Sequence, residues 1–311
     1  MADKPKIIIL GAGMSGIACA LSVYKSFDVQ IYEKSRGMGG RLCAKKLPHG
    51  LFHFGAQFCT ASTSAFQKFL RDSNAISFLG SAFDVDANSN IETKDYFVGS
   101  DGMHSLLKKY DEVLKIHYNH KVVDLDEKRK LISFDSGKKI SYDIIVSSLP
   151  LPQTREIFQT EIEHDAIFSP CLSVGMSING SPCYEHNVYK NINKDVAWLG
   201  SSSFYNSKRK ETWVLQFSPK ASLNMMDNSD SLIQASAENC VRKIINGKYE
   251  IIHSGIFRWR YALCNRSNLN NKFTSISDDS FAIGDWNISP RVESAYISGT
   301  TLGKYLIETK L

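Results

Sequence analysis

Lys6-Ile7-Ile8-Ile9-Leu10-Gly11-Ala12-Gly13-Met14-Ser15-Gly16 sets a short, β-rich apolar run directly before three glycines in the spacing G-x-G-x-x-G. Outward from it, Ile17, Leu21 and Tyr24 repeat at helical spacing, and Val29 to Glu33 reads as a second strand. Strand, turn, helix and strand in that order predict a βαβ unit. The three glycines do different things. Gly11 makes the sharp turn, Gly13 lets the backbone approach a pyrophosphate, and Gly16 lets helix and strand pack closely. The helix N-terminus then offers free N–H groups and a positive dipole end to the phosphates. Glu33 ends the second strand, where a carboxylate accepts hydrogen bonds from ribose hydroxyls and repels a 2′-phosphate.

Arg36-Gly37-Met38-Gly39-Gly40-Arg41 follows the acid immediately and predicts which nucleotide binds. A second glycine turn carrying two guanidiniums is superfluous for NAD. It suits a pyrophosphate gripped from two sides in a cofactor whose far end runs deeper into the protein, which describes FAD. Near the other end of the sequence, Phe281-Ala282-Ile283 reads as a strand, Gly284-Asp285 as a turn, and Arg291-Val292-Glu293 as the start of a helix through Tyr296, Leu302 and Leu306. A helix N-terminus there would stabilise negative charge on the reduced flavin, with Asp285 holding ribityl or ribose hydroxyls.

With these three elements in view, the chain resembles the FAD-dependent amine-oxidase superfamily, and within it the bacterial renalase-like oxidoreductases. Further matching segments are Gly55-Ala56-Gln57-Phe58, Tyr96-Phe97-Val98-Gly99 with Gly102-Met103, Arg258-Trp259-Arg260-Tyr261-Ala262, and Gly284-Asp285-Trp286. Departures cluster where the isoalloxazine is expected. His53-Phe54 stands for Asp-His, Phe257 for His, Ser289-Pro290 for Gly-Gly, and Ser294 for Gly. The expected cofactor contacts are Gly11, Ala12, Gly13, Met14, Ser15, Gly16, Glu33, Lys34, Arg36, Gly40, Arg41, Ala56, Gln57, Phe58, Val123, Asp285, Arg291, Val292 and Glu293. No cysteine lies between Gly284 and Val292 to form a thioether, so the FAD is expected to be non-covalent.

The expected fold is α/β: a Rossmann-like FAD-binding domain (1–60, 98–155 and 275–311) and an α+β substrate domain built on an antiparallel sheet (61–97 and 156–274). Asp101 to Tyr110 reads as a helix and Ile116 to Tyr118 as a strand. A β meander follows through Val122–Leu125, Leu131–Phe134 and Ile140, then a continuous apolar strand Ile144-Ile145-Val146 suited to a sheet buried on both faces. Ser173–Ile178, Val196–Leu199, Thr212–Phe217 and Ile251–Tyr261 read as strands, with a helix near Ser231–Ile245 and loops near 224–230 and 265–271.

In Phe257–Tyr261, alternation puts Phe257, Trp259 and Tyr261 on one face and Arg258 and Arg260 on the other. The aromatics can be sheet core or, as the resemblance implies, a roof over the flavin with an arginine meeting a substrate phosphate or carboxamide. Trp286 joins them as a pocket candidate. The histidines, His53, His104, His117, His120, His164, His186 and His253 among them, show neither a serine-elbow partner nor metal spacing.

Composition bounds the rest. The 311 residues are 43% hydrophobic and 22% charged, ordinary globular usage, and the net charge of +5 is scattered, so no nucleic-acid groove is expected. Seven dispersed cysteines without C-x-x-C pairs suggest free thiols in a reducing compartment, the cytoplasm. Glycines interrupt the one signal-like apolar stretch, and no membrane partner is expected. The resemblance implies a small-molecule donor, a misreduced dihydronicotinamide isomer of NAD(P)H, with dioxygen as acceptor and hydrogen peroxide as product. A flavin amine oxidase and an FAD-holding, non-catalytic scaffold are the alternatives.

Overall fold

The computed structural model describes residues 4–202, 211–264 and 271–310. Lys6–Leu10 becomes the central strand of a six-stranded sheet, because its isoleucines are apolar on both faces and both faces are covered. Its parallel neighbours are Asp28–Tyr32 on one side, with Lys115–His117 beyond, and Ile144–Ser147 on the other, with Ser280–Ala282 beyond. Thr274–Ser275 pairs antiparallel at the edge. The three-stranded meander Val122–Asp126, Leu131–Phe134 and Lys139–Ser141 forms as the alternation predicts, with Gly137 taking the positive φ of its turn.

Two helices cover one face of the parallel sheet. Met14–Val23 and the final helix Val292–Lys310 cross at very close range, where a Cβ on Gly299 would stand 2.2 Å from the Ser15 carbonyl oxygen and one on Gly303 2.4 Å from Ser22 Cβ. The last helix is therefore built into the parallel-sheet domain. The expected helix at Asp101–Tyr110 is shorter, Ser105–Lys108 running into a 3₁₀ turn Lys109–Glu112, but it buries Leu106 and Leu107 as read.

The second sheet has seven strands in the order Asn246–Cys264, Phe168–Cys183, Thr212–Phe217, Val196–Ser201, Val188–Lys190, Ile76–Asp84 and Ser89–Val98. All pairings are antiparallel except Val188–Lys190 with Ile76–Asp84. Helix Asp230–Ile244 buries Ile233, Ala237 and Val241 against Leu199, Trp213 and Leu215 on its far side. The loop expected at 224–230 begins inside helix Pro219–Met225 and ends in a turn before Asp230. Of the 265–271 stretch, 265–270 lies outside the described residues. Helix Ser64–Asp72, expected with the substrate domain, instead buries Phe66, Phe69 and Leu70 in the core of the parallel sheet. Its amphipathic face finds apolar partners there.

Glu293 holds that helix in place. Its carboxylate accepts the Ser62 N–H at 3.0 Å, the Thr63 N–H at 2.7 Å and the Thr63 hydroxyl at 2.8 Å, while Thr63 caps the helix by accepting the Phe66 N–H. Burial works against the carboxylate charge, but these donors outweigh it and hold the pKa below its ordinary value. A depressed folded-state pKa gives stability that is complete above the unfolded value and lost as pH falls through the folded one. Glu293→Gln should therefore cost about 2 kcal/mol at neutral pH, and the gap in melting temperature to wild type should close as the pH falls below the ordinary carboxylate range. An equal gap at every pH would rule out the charge as the cause.

Candidate cofactor and substrate site

The two glycine-rich turns are bonded to each other. Gly39 donates its N–H to the Ala12 carbonyl oxygen at 2.9 Å, and Gly13 and Gly39 form a parallel bridge. Glu33 fastens the first turn from below, Oε2 accepting the Ala12 N–H at 2.9 Å and Oε1 the Ser35 N–H at 2.8 Å. Each oxygen keeps acceptor capacity for a hydroxyl. Ser15, inside the first helical turn, meets Ser148 at 2.9 Å, which ties the loop to the end of strand Ile144–Ser147.

The glycines differ in what surrounds them. A Cβ on Gly16 would stand 2.2 Å from the Gly11 carbonyl oxygen, so Gly16 is needed for packing, and Gly11 takes φ +100° in the turn. A Cβ on Gly13 would meet nothing within 4 Å. Helix Met14–Val23 begins there with no side-chain cap and no acidic residue in its first turn. Open space, uncapped N–H groups and a buried carboxylate beside them fit a dinucleotide pyrophosphate and its ribose.

Arg41 follows the second turn and pairs with Asp285, 244 positions later. Its Nη1 and Nη2 donate to Oδ2 and Oδ1 at 2.9 and 2.5 Å, and Nη1 also reaches the Ala262 carbonyl oxygen. Burial opposes the Arg41 charge, and the Asp285 carboxylate more than restores it. The same carboxylate lies 3.8 Å from the Cys264 thiol, whose pKa is pushed up to about 12 by burial first and by Asp285 second. No thiolate is formed there at neutral pH. Gly55-Ala56-Gln57-Phe58 runs back beside Arg41, Ala56 donating to the Arg41 carbonyl oxygen and Gly55 to that of Cys43. The pair thus joins the start, the middle and the end of the chain at the far side of the cradle.

Several expected contacts are placed differently. Trp286 is fully buried, its indole N–H on the Leu149 carbonyl oxygen and its ring edge-on to His164, so it is core and not pocket. Arg258 faces away from the cradle and commits its guanidinium to the Met226 and Asn228 carbonyl oxygens and to Asp230 at 2.8 Å. Arg260 is exposed on that same outer face. Glu293 serves the Ser62–Thr63 turn, and Arg291 is exposed with Nη2 on Thr60. Lys34, Arg36 and Gly40 are exposed, and Val292 opens the last helix. Val123 is 57% exposed at a β-bulge between Val122 and Asp124, where main-chain groups leave the ladder.

Phe257, Trp259 and Tyr261 do share the inner face, the first two with ring centres 4.4 Å apart, and Trp259 donates to the Phe54 carbonyl oxygen at 2.9 Å. Sequence reasoning missed a second aromatic group, Phe58 against Tyr96 and Trp198 at 4.3 and 5.6 Å. Alternation in Val196–Leu199 carried the signal, since Leu199 enters the helix-side core and Trp198 must face the other way. A double-mutant cycle on Arg41→Met and Asp285→Asn, read by thermal unfolding, should give a coupling of about 1 kcal/mol or more. Additive effects would mean that the two side chains do not act as a pair.

Residues 9–73 match the NAD(P)-binding Rossmann-like domain family. Mouse renalase is 25% identical over 167 residues, and the match covers 49% of this chain and 49% of that protein, so the matched segment spans about half the length of this curated relative. Among solved structures, reduced UDP-galactopyranose mutase superposes with a TM-score of 0.77 at 11% identity, covering 98% of this chain and 94% of that one. Putrescine oxidase bound to putrescine gives 0.76 at 12% identity, covering 98% and 99%. The chain thus has a Rossmann nucleotide-binding domain within a mixed α/β fold, shares that fold with these two structures, and resembles the renalase-like FAD-dependent oxidoreductases.

Proposed function

We propose that this protein is an FAD-dependent oxidoreductase of renalase type that oxidises a small, electron-rich donor. The observation that carries the reading is the interlocked pair of glycine turns, with Glu33 beneath one and the Arg41–Asp285 pair beyond the other. NAD needs only the first turn, whereas a cofactor extending toward the second sheet uses both. FAD is accordingly the cofactor, and when bound it supplies a two-electron acceptor.

The chain's own residues bind, orient and exclude water. The uncapped N-terminus of Met14–Val23 would hold the pyrophosphate, and Glu33 would accept the ribose hydroxyls. Asp285, fixed by Arg41, would take the polyol, while the ionised Glu293 in the first turn of Val292–Lys310 works against the pull of that helix dipole on negative charge. Trp259, anchored through its N–H to Phe54, and Phe257 beside it form an apolar wall against which a planar donor can lie. The donor proposed is a dihydronicotinamide isomer. It gives up a hydride, and with dioxygen and one proton the balance is an oxidised nicotinamide and hydrogen peroxide. No side chain has to abstract a proton from carbon in this chemistry, which matches the low basicity of the nearby groups: His104 is held below the usual imidazole pKa by burial, and Cys264 stays a thiol. Orientation then does most of the work. Residues 1–60, 98–155 and 275–311 make up the cofactor domain, with Ser64–Asp72 added to it, and the seven-stranded sheet is the substrate domain.

The purified protein should be yellow, and acid precipitation should release the FAD into the supernatant. Under anaerobic conditions the 2- or 6-dihydronicotinamide isomers should bleach it faster than ordinary NADH or simple amines do, and air should restore the colour with release of peroxide. Faster bleaching by amines would replace this reading with an amine oxidase. No bleaching by either class, with FAD fully bound, would replace it with a scaffold.

A further inference from the structure

One corner of the second sheet, on the face turned toward the cofactor turn, gathers aromatic rings around a cation. Cross-strand register sets Lys190 opposite Trp198 and Val188 opposite Gly200, while Tyr189 and Leu199 between them enter the core under helix Asp230–Ile244. In the neighbouring hairpin Phe78 stands opposite Tyr96 and Gly80 opposite Lys94. Phe58 reaches this group from the cofactor side, one residue after Gln57. Gly200 makes the approach possible: a Cβ there would lie 2.3 Å from Gln57 Oε1 and 2.9 Å from Trp198 Nε1.

Two donors in this corner lack partners among the described residues. The Trp198 indole N–H is buried with no acceptor. The Lys190 ammonium, half-buried and 5.2 Å from the Trp198 ring centre, makes no ion pair. Its cross-strand neighbour Asp84 is committed to Asn191 Nδ2 at 2.8 Å and to the Ala87 N–H at 3.1 Å. The aromatic ring offsets part of the cost of an unpaired, partly desolvated cation, but an anion would offset far more. Burial, then the charge of Lys94, press the Lys190 pKa down, and Asp84 offsets them only in part.

We propose that Lys190 and the Trp198 indole N–H form the subsite for the phosphate of a nucleotide donor, whose planar ring points from there past Phe58 toward the Phe257–Trp259 wall. This rests on the reading of the site as a nucleotide-oxidising one. Lysine contributes a point charge to phosphate, and Lys94 adds a second cation at the rim. A cationic amine would meet repulsion from both, so the same corner sets donor preference.

The test compares nicotinamide mononucleotide with nicotinamide riboside, which share ring and sugar and differ by one phosphate. Both are oxidised and unreactive, so binding to the FAD-loaded protein is read by calorimetry and does not depend on turnover. The wild-type preference for the mononucleotide should fall about tenfold in Lys190→Met, which keeps the aliphatic stem, and return in Lys190→Arg. A preference unchanged by Lys190→Met overturns the subsite while leaving the bleaching test to judge the function. In the unmutated protein, the mononucleotide should slow acetylation of Lys190, followed by peptide mass spectrometry, and the riboside should not. Equal labelling with and without the mononucleotide also overturns the proposal, even if the variants fail to fold.

Discussion

The backbone bond from Gly39 to Ala12 is the constraint on which the site depends. It locks two turns that the chain makes almost thirty residues apart, and the Glu33 carboxylate beneath Ala12 fixes the first of them from the other side. A loop carrying this many glycines would otherwise sample many conformations, and ordering it on ligand binding would cost conformational entropy. Meeting that cost during folding leaves a preorganised, uncapped N-terminus at the start of helix Met14–Val23, the anion site of the proposed function.

From this anchor the rest of the architecture follows by covalent continuity. The second turn delivers Arg41, and Arg41 finds Asp285 because the final helix returns across the first helix at glycine contact distance. Both segments must be in place before either charge is compensated. Removing Arg41 leaves a buried carboxylate unpaired, and removing Asp285 leaves a partly buried guanidinium unpaired, the costly arrangement for an ion pair of this kind. The Glu293 bond to Ser62 and Thr63 repeats the device at the next turn of chain, so the last helix holds both the nucleotide loop and the helix that follows the second turn.

Much of the fold was legible in the residues. Isoleucines at Ile7, Ile8 and Ile9 and the run Ile144-Ile145-Val146 have one physical solution, a strand covered on both faces, and the structure places them side by side. Alternation in Phe257–Tyr261 likewise sorted the aromatics from the arginines correctly. What alternation could not say is what lies opposite each face. Arg258 found carbonyl groups of the turn before helix Asp230–Ile244, and Trp286 found a core beside His164. Both are long-range partners with no local signature. Helix Ser64–Asp72 was misplaced for the same reason, since an amphipathic helix does not record which sheet covers it. The Phe58, Tyr96 and Trp198 group needs three segments distant in sequence to converge, and no motif marks that convergence.

On the proposed function, Gly13 is kept free for a cofactor and not for folding. Its φ of −82° suits any residue, and a Cβ there meets no atom within 4 Å beyond its chain neighbours. Replacing Gly13 with Val and measuring FAD per chain by absorbance, beside the melting temperature of the flavin-free protein, tests this directly. The expected result is a folded protein of unchanged flavin-free melting temperature that has lost most of its FAD. Full flavin retention in Gly13→Val would contradict it.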